Sequence, residues 1–201
     1  MKCSAFIATS ADGYIATQDG DVDWLESAGN SQVDMGQYSD MGFNDYIASV
    51  DCMIIGRKSM EKISSFNLTP DQWPYGDTRI IVLSKTIKEA PNNLTGKVEI
   101  YSGDIPALIM QLESEGFSHA YIDGGTAITS FINLQLINEM TITQAPILLG
   151  EGTPLFGKFF KQINLSHAHA TAYPNDFIQI KYRVNVLIWS GKHFMKLVFG
   201  L

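Results

Sequence analysis

The feature that most constrains this chain is a recurring unit. A short apolar run is stopped by glycine or a polar residue, and residues at helical spacing often follow. Residues 3–9, 52–55, 80–83, 98–101, 120–123 and 139–146 have the length and composition of buried strands. After Ser59, Met60 and Ile63 fall on one helical face. Asp104 precedes Ile105, Leu108, Ile109 and Leu112, spaced i, i+3, i+4, i+7, and Gly116 closes that segment. A further helix is predicted over 126–136, and another over 38–50 with Tyr38, Met41, Phe43, Tyr46, Ile47 and Val50 on its apolar face. Residues 16–34 are polar and rich in Gly and Asp, and read as a long loop around Trp24 and Leu25. Segments 163–172 and 177–184 read as a hairpin closed by 173–176. Strand–helix alternation followed by a hairpin predicts an α/β fold. Its central sheet is mixed and mostly parallel, with helices on both faces and a C-terminal antiparallel hairpin.

One domain over 1–184 is expected. Residues 185–201 form an extension with Trp189, Phe194, Leu197, Val198 and Phe199, either packed on the same domain or at a dimer contact. The 201 residues carry a net charge of -7, which disfavours general binding to nucleic acid or anionic membranes. Three arginines are present, Arg57, Arg79 and Arg183, so any anion site must be local. Cys3 and Cys52 sit in apolar runs and read as buried thiols of a reducing compartment. No signal peptide or membrane-spanning run is legible, and a cytoplasmic protein is expected.

Two predicted strand ends share a design suited to phosphate. At Gly56-Arg57-Lys58-Ser59 a glycine precedes a helix start whose free N–H groups carry partial positive charge, beside two cations. At Asp123-Gly124-Gly125-Thr126 two adjacent glycines leave the backbone open to close approach. Leu83-Ser84-Lys85 ends the third strand and adds a cation. On these motifs alone, a solvated basic pair and an ordinary glycine turn remain alternatives. Asp19, Asp21 and Asp23 alternate as in a calcium loop, but Trp24 stands where that loop wants glycine. His167 and His169 lack further ligands at metal spacing, and no metal is expected.

In order, ATSADGYIA (8–16), DCMIIGRKSM (51–60), RIIVLSK (79–85) and YIDGGTAITSF (121–131) resemble the dihydrofolate-reductase-like superfamily. ILLGEGTPLF (147–156) and GDVDWL (20–25) are more similar to the riboflavin-pathway reductase domain and its stand-alone relatives. The resemblance implies a three-layer fold and bound NADPH. It implies that Gly56, Arg57, Lys58, Ser59, Leu83, Ser84 and Lys85 hold the adenosine 2′-phosphate side. Gly124, Gly125, Thr126, Ala127 and Ile128 would flank the phosphates and nicotinamide, with a cis peptide between the glycines, and Ala8 and Ile15 would approach the nicotinamide. It also implies hydride transfer to a C=N or C=O group of a small pterin- or pyrimidine-like substrate, and a possible homodimer.

By the same resemblance, Asp40 lies where dihydrofolate reductases place an acid, and is either a proton donor or pterin anchor, or a solvated helix acid. Trp24 and Phe43 are candidate substrate contacts. The folate-tail arginine of those enzymes aligns with Thr78, one residue from Arg79, and a one-residue slip turns a side chain to the other face. The riboflavin-pathway reductase acts on a ribosylated pyrimidine phosphate, for which no second phosphate site is legible. Three readings follow: a reductase, a nucleotide-binding relative without turnover, and a true dihydrofolate reductase.

Overall fold

The protein is described by a computed structural model over residues 1–184. The extension at 185–201, and its proposed packing or dimer role, lies outside the described residues. The chain runs β1 (Lys2–Ser10), β2 (Tyr14–Ala16), α1 (Trp24–Ser27), α2 (Phe43–Ala48), β3 (Cys52–Gly56), α3 (Arg57–Ser65), β4 (Arg79–Leu83), β5 (Val98–Tyr101), α4 (Ile105–Ser114), β6 (His119–Asp123), α5 (Gly125–Asn133), β7 (Glu139–Ala145), β8 (Thr153–Pro154), β9 (Leu165–Ala172) and β10 (Ile178–Val184). The main sheet has the order β5-β4-β3-β6-β1-β7-β10-β9, and β2 pairs with β8 in a small second sheet. The pairings among β5, β4, β3, β6, β1 and β7 are parallel, whereas β10 is antiparallel to both β7 and β9. The expected α/β architecture and terminal hairpin are therefore present.

Alternation along the inner strands builds two cores. Cys52, Ile54, Ala120 and Ile122 face α4 and α5, meeting Leu108, Leu112, Ile128 and Phe131. Met53, Ile55 and Tyr121 face the other way, onto Met60 and Ile63 of α3 and Phe43 and Tyr46 of α2. Strands covered on both faces must be apolar throughout, which is why these runs lack a polar stripe. Cys3 and Cys52 flank Ala120 on neighbouring strands, both are free, and burial pushes both thiols up to about 12. Among the described residues no helix is long and apolar enough to cross a membrane.

The predicted helix over 38–50 is replaced by a 3-10 turn at Gly36–Tyr38 and by α2. The break is at Met41 and Gly42, whose φ values of 50° and 82° are left-handed. Asp40 explains the restart: its carboxylate accepts the backbone N–H groups of Gly42 and Asn44 at 3.0 and 2.9 Å. Within the predicted loop over 16–34, α1 carries Trp24 into a small core with Ala145, Tyr173 and Phe177. This pins the loop beside the carboxyl end of β7.

Phe131 is fully buried between α5 and the sheet. Phe131→Ala should cost about 3–5 kcal/mol of unfolding free energy, measurable as a lower urea midpoint with an unchanged slope.

Candidate active site

Parallel strands end together. In register, Ile55 pairs with Asp123 and Gly56 with Leu83, so the carboxyl ends of β6, β3 and β4 emerge at one sheet edge. The two glycine-marked turns singled out in the sequence are thus neighbours. They open onto one cleft of about 790 Å³. Ile15, Gly56, Arg57, Lys58, Ser59, Leu83, Ser84, Lys85, Gly124, Gly125, Thr126 and Ala127 all line it. Two expected cofactor residues do not. Ile128 is 1% exposed and packs in the core behind α5, because it falls on the sheet-facing side of that helix. Ala8 lines a second cleft next door.

The helix starts in the first cleft favour anions. The first turns of α3 and α5 have no side-chain cap, so their leading N–H groups are free to bind a ligand. Gly56 has an ordinary extended φ of -83°, and a Cβ built there meets nothing within 4 Å. Neither strain nor protein packing demands glycine at 56; what its missing side chain leaves is room in the cleft. At 124 and 125 the demand is internal. A Cβ on Gly124 would stand 2.3 Å from the Ser59 Oγ, and one on Gly125 would stand 2.7 Å from the Leu155 carbonyl oxygen. Gly124 also has φ 89°. These glycines let β6, α3 and the strap around β8 close on one another. All described peptides are trans, the one between Gly124 and Gly125 included, which corrects the cis peptide implied by the resemblance.

Among the cations, Arg57 pairs with Glu61 at 2.6 Å, one turn along α3. Such an exposed i, i+4 pair contributes only about 0.3–0.5 kcal/mol, so the guanidinium is cheaply released. Lys58 and Lys85 are exposed and have no ion-pair partner among the described residues. The Ser84 hydroxyl accepts the N–H groups of Thr86 and Ile87, and its backbone N–H donates to the Tyr101 carbonyl oxygen at 3.0 Å. Asp12 straps the far wall: its carboxylate accepts the N–H groups of Leu149 and Gly150 at 3.1 and 2.7 Å. Thr153, Pro154 and Gly157, further along that segment, line the cleft.

The second cleft, of about 510 Å³, is lined by Phe6, Ala8, Leu25, Phe43, Tyr121, Phe177 and the acids Glu26, Asp40 and Asp123, among others. It adjoins the first at Asp123 and Gly124, consecutive residues that line one cleft each. Phe43, a candidate substrate contact, lines this second cleft. Trp24 does not: it is 7% exposed, faces the small core, and its neighbour Leu25 lines the cleft instead.

The two inner acids differ in kind. Asn44 and Gly42 N–H groups hold the Asp40 carboxyl below its usual range, which makes it a poor proton donor. Burial pushes Asp123 up to about 6, against the opposing hydrogen bonds from the Tyr121 hydroxyl, the Gly124 N–H and the Ser59 hydroxyl. The Tyr121 hydroxyl sits 3.2 Å from the Asp123 Oδ1 and 2.8 Å from the Phe6 carbonyl oxygen. Asp123 was missed as a site residue, although an acid ending an apolar strand just before two glycines was a legible signal. Arg79 lies at the amino end of β4, away from both clefts, paired with Glu99 and Glu115. It is not placed to hold a folate tail.

Residues 2–179 match the RibD C-terminal domain family. The chain belongs to that family. It is 29% identical to the uncharacterized protein YyaP of Bacillus subtilis (strain 168), covering 92% of this chain and 93% of YyaP. The solved structure of a putative riboflavin biosynthesis protein from Shewanella sp. PV-4 is 36% identical with a TM-score of 0.80, covering 92% of this chain and 99% of that one. A dihydrofolate reductase from Enterococcus faecalis, complexed with NADP(H), is 12% identical with a TM-score of 0.59, covering 92% of this chain and 96% of that one, and shares the fold.

A carboxyl with a raised native pKa takes up its proton between the unfolded value, 3.8, and about 6. Stability therefore falls as pH rises through that window and stays lower above it. Asp123→Asn removes the loss. The variant should be more stable than the wild type at pH 8, by at most about 3 kcal/mol. It should match the wild type at pH 3, both read from thermal unfolding.

Proposed function

We propose that this RibD-family protein is an NADPH-dependent reductase that transfers a hydride to a C=N or C=O group of a small pyrimidine- or pterin-like ring. One observation carries the reading. Twelve of the fourteen residues expected at a cofactor line a single cleft, and that cleft adjoins an aromatic pocket holding an acid that burial pushes up to about 6. When bound, the dinucleotide supplies the hydride. The starts of α3 and α5 orient its phosphates, and Lys58, Lys85 and a released Arg57 meet the 2′-phosphate. Phe6, Phe43 and Phe177 align the ring and exclude water. Asp123, poised near neutrality, holds the proton that a reduced C=N nitrogen takes up. The misplaced Arg79 speaks against the folate reading, and the fit of both clefts favours turnover over a merely nucleotide-binding relative.

Fluorescence titration tests the cofactor. NADPH should bind about 10- to 150-fold more tightly than NADH, the worth of one charge-assisted hydrogen bond. Lys58→Ala combined with Lys85→Ala should narrow that gap, and Gly56→Val should weaken both nucleotides by filling the cleft. Equal binding of the two nucleotides by the wild type would count against the phosphate site.

A further inference from the structure

The substrate pocket has a charge pattern that the family's phosphorylated substrate does not suit. Its described lining contains no lysine, arginine or histidine, but three acids, Glu26, Asp40 and Asp123. The cations at this sheet edge, Arg57, Lys58 and Lys85, line the other cleft. Asp40 stays ionised because two backbone N–H groups hold its carboxylate, and Glu26 is exposed at the rim. A phosphate held against this lining would face acids and find no described cation in the pocket to replace its water.

What the pocket does offer is apolar area and hydrogen-bond acceptors. Phe6, Phe43 and Phe177 supply flat contact. Asn175 also lines the pocket, and its side-chain amide can accept a hydrogen bond. The carboxylate of Asp123 is a second acceptor. Acceptors among aromatic rings suit the N–H and NH2 groups of a flat nitrogen heterocycle.

Resting on the reading of this pocket as the substrate side, we propose that the substrate is an unphosphorylated, uncharged or cationic nitrogen heterocycle, and not a ribosylated pyrimidine phosphate. Ring and ester are compared by calorimetry on the full chain at low ionic strength without nucleotide. Failure of the cofactor reading would therefore show separately, in the nucleotide titrations. The probe pairs are uridine against uridine monophosphate, and hydroxymethylpterin against its phosphate ester. In the tighter-binding pair the neutral member is expected to bind more tightly than its ester by about tenfold or more. The gap should shrink with added salt, and Glu26→Lys, at the rim, should narrow it. A smaller or reversed gap in that pair overturns the proposal, as does failure of both neutral rings to bind at millimolar concentration. A gap that neither salt nor Glu26→Lys moves also overturns it, because charge is then not its source.

Discussion

The arrangement depends on β6 lying between β3 and β1 with both faces buried. Ala120, Tyr121 and Ile122 are each 5% exposed or less, so the strand is apolar between His119 at its start and Asp123 at its end. Parallel pairing on both sides makes Asp123 emerge beside Ile55 and Gly56, and the chain then turns through two glycines into α5. A register slip of one residue would exchange the faces of Tyr121 and Ile122. It would drive the tyrosine hydroxyl into the core under α5, away from the Phe6 carbonyl oxygen and the Asp123 carboxylate that it now reaches. Two-sided burial therefore fixes the register, and the register fixes the site.

The same burial sets the two acids of the second cleft apart. Asp40 and Asp123 line one pocket, yet their surroundings move them in opposite directions. Asp40 is spent on the backbone, where its carboxylate restarts the helix after the left-handed pair Met41 and Gly42. Asp123 loses water without gaining a cation, and its hydrogen bonds only partly compensate. The fold thus carries a destabilising group at the junction of its two clefts. Such a local cost is expected where protonation state, not stability, is under selection.

Much of this was legible in the sequence because two-sided strands leave little ambiguity. Runs without a polar stripe, stopped by glycine, marked the parallel strands. Tyr173-Pro174-Asn175-Asp176 marked the hairpin turn, which spans residues 173–177 between β9 and β10. What failed was single-element periodicity where tertiary contacts overrode it. Apolar residues at helical spacing over 38–50 suggested a continuous helix, but several of them pack in two different cores around a backbone reversal. Trp24 was a candidate substrate contact, but its indole anchors the 16–34 loop against Tyr173 and Phe177. The double glycine was read as a surface for phosphate, whereas the nearest atoms to its missing side chains belong to Ser59 and the β8 strap. Sequence shows where a Cβ is absent but not which neighbour requires the absence.

Charge segregation links the two clefts. A chain of net charge -7 repels polyanions on average. A dinucleotide bound as proposed therefore needs its phosphates within short range of local cations and helix starts. Among the described residues those lie on the α3–α5 side, while the acidic walls of the adjoining pocket would repel the same phosphates. For an elongated molecule with its charge toward one end, these opposed fields select one direction of entry. The polyanionic end is drawn toward Lys58 and Lys85, and the end with less negative charge is left at the Asp123–Gly124 boundary. The acids that make the pocket unfavourable for a phosphate would thus also orient the reactive ring of the cofactor toward the substrate.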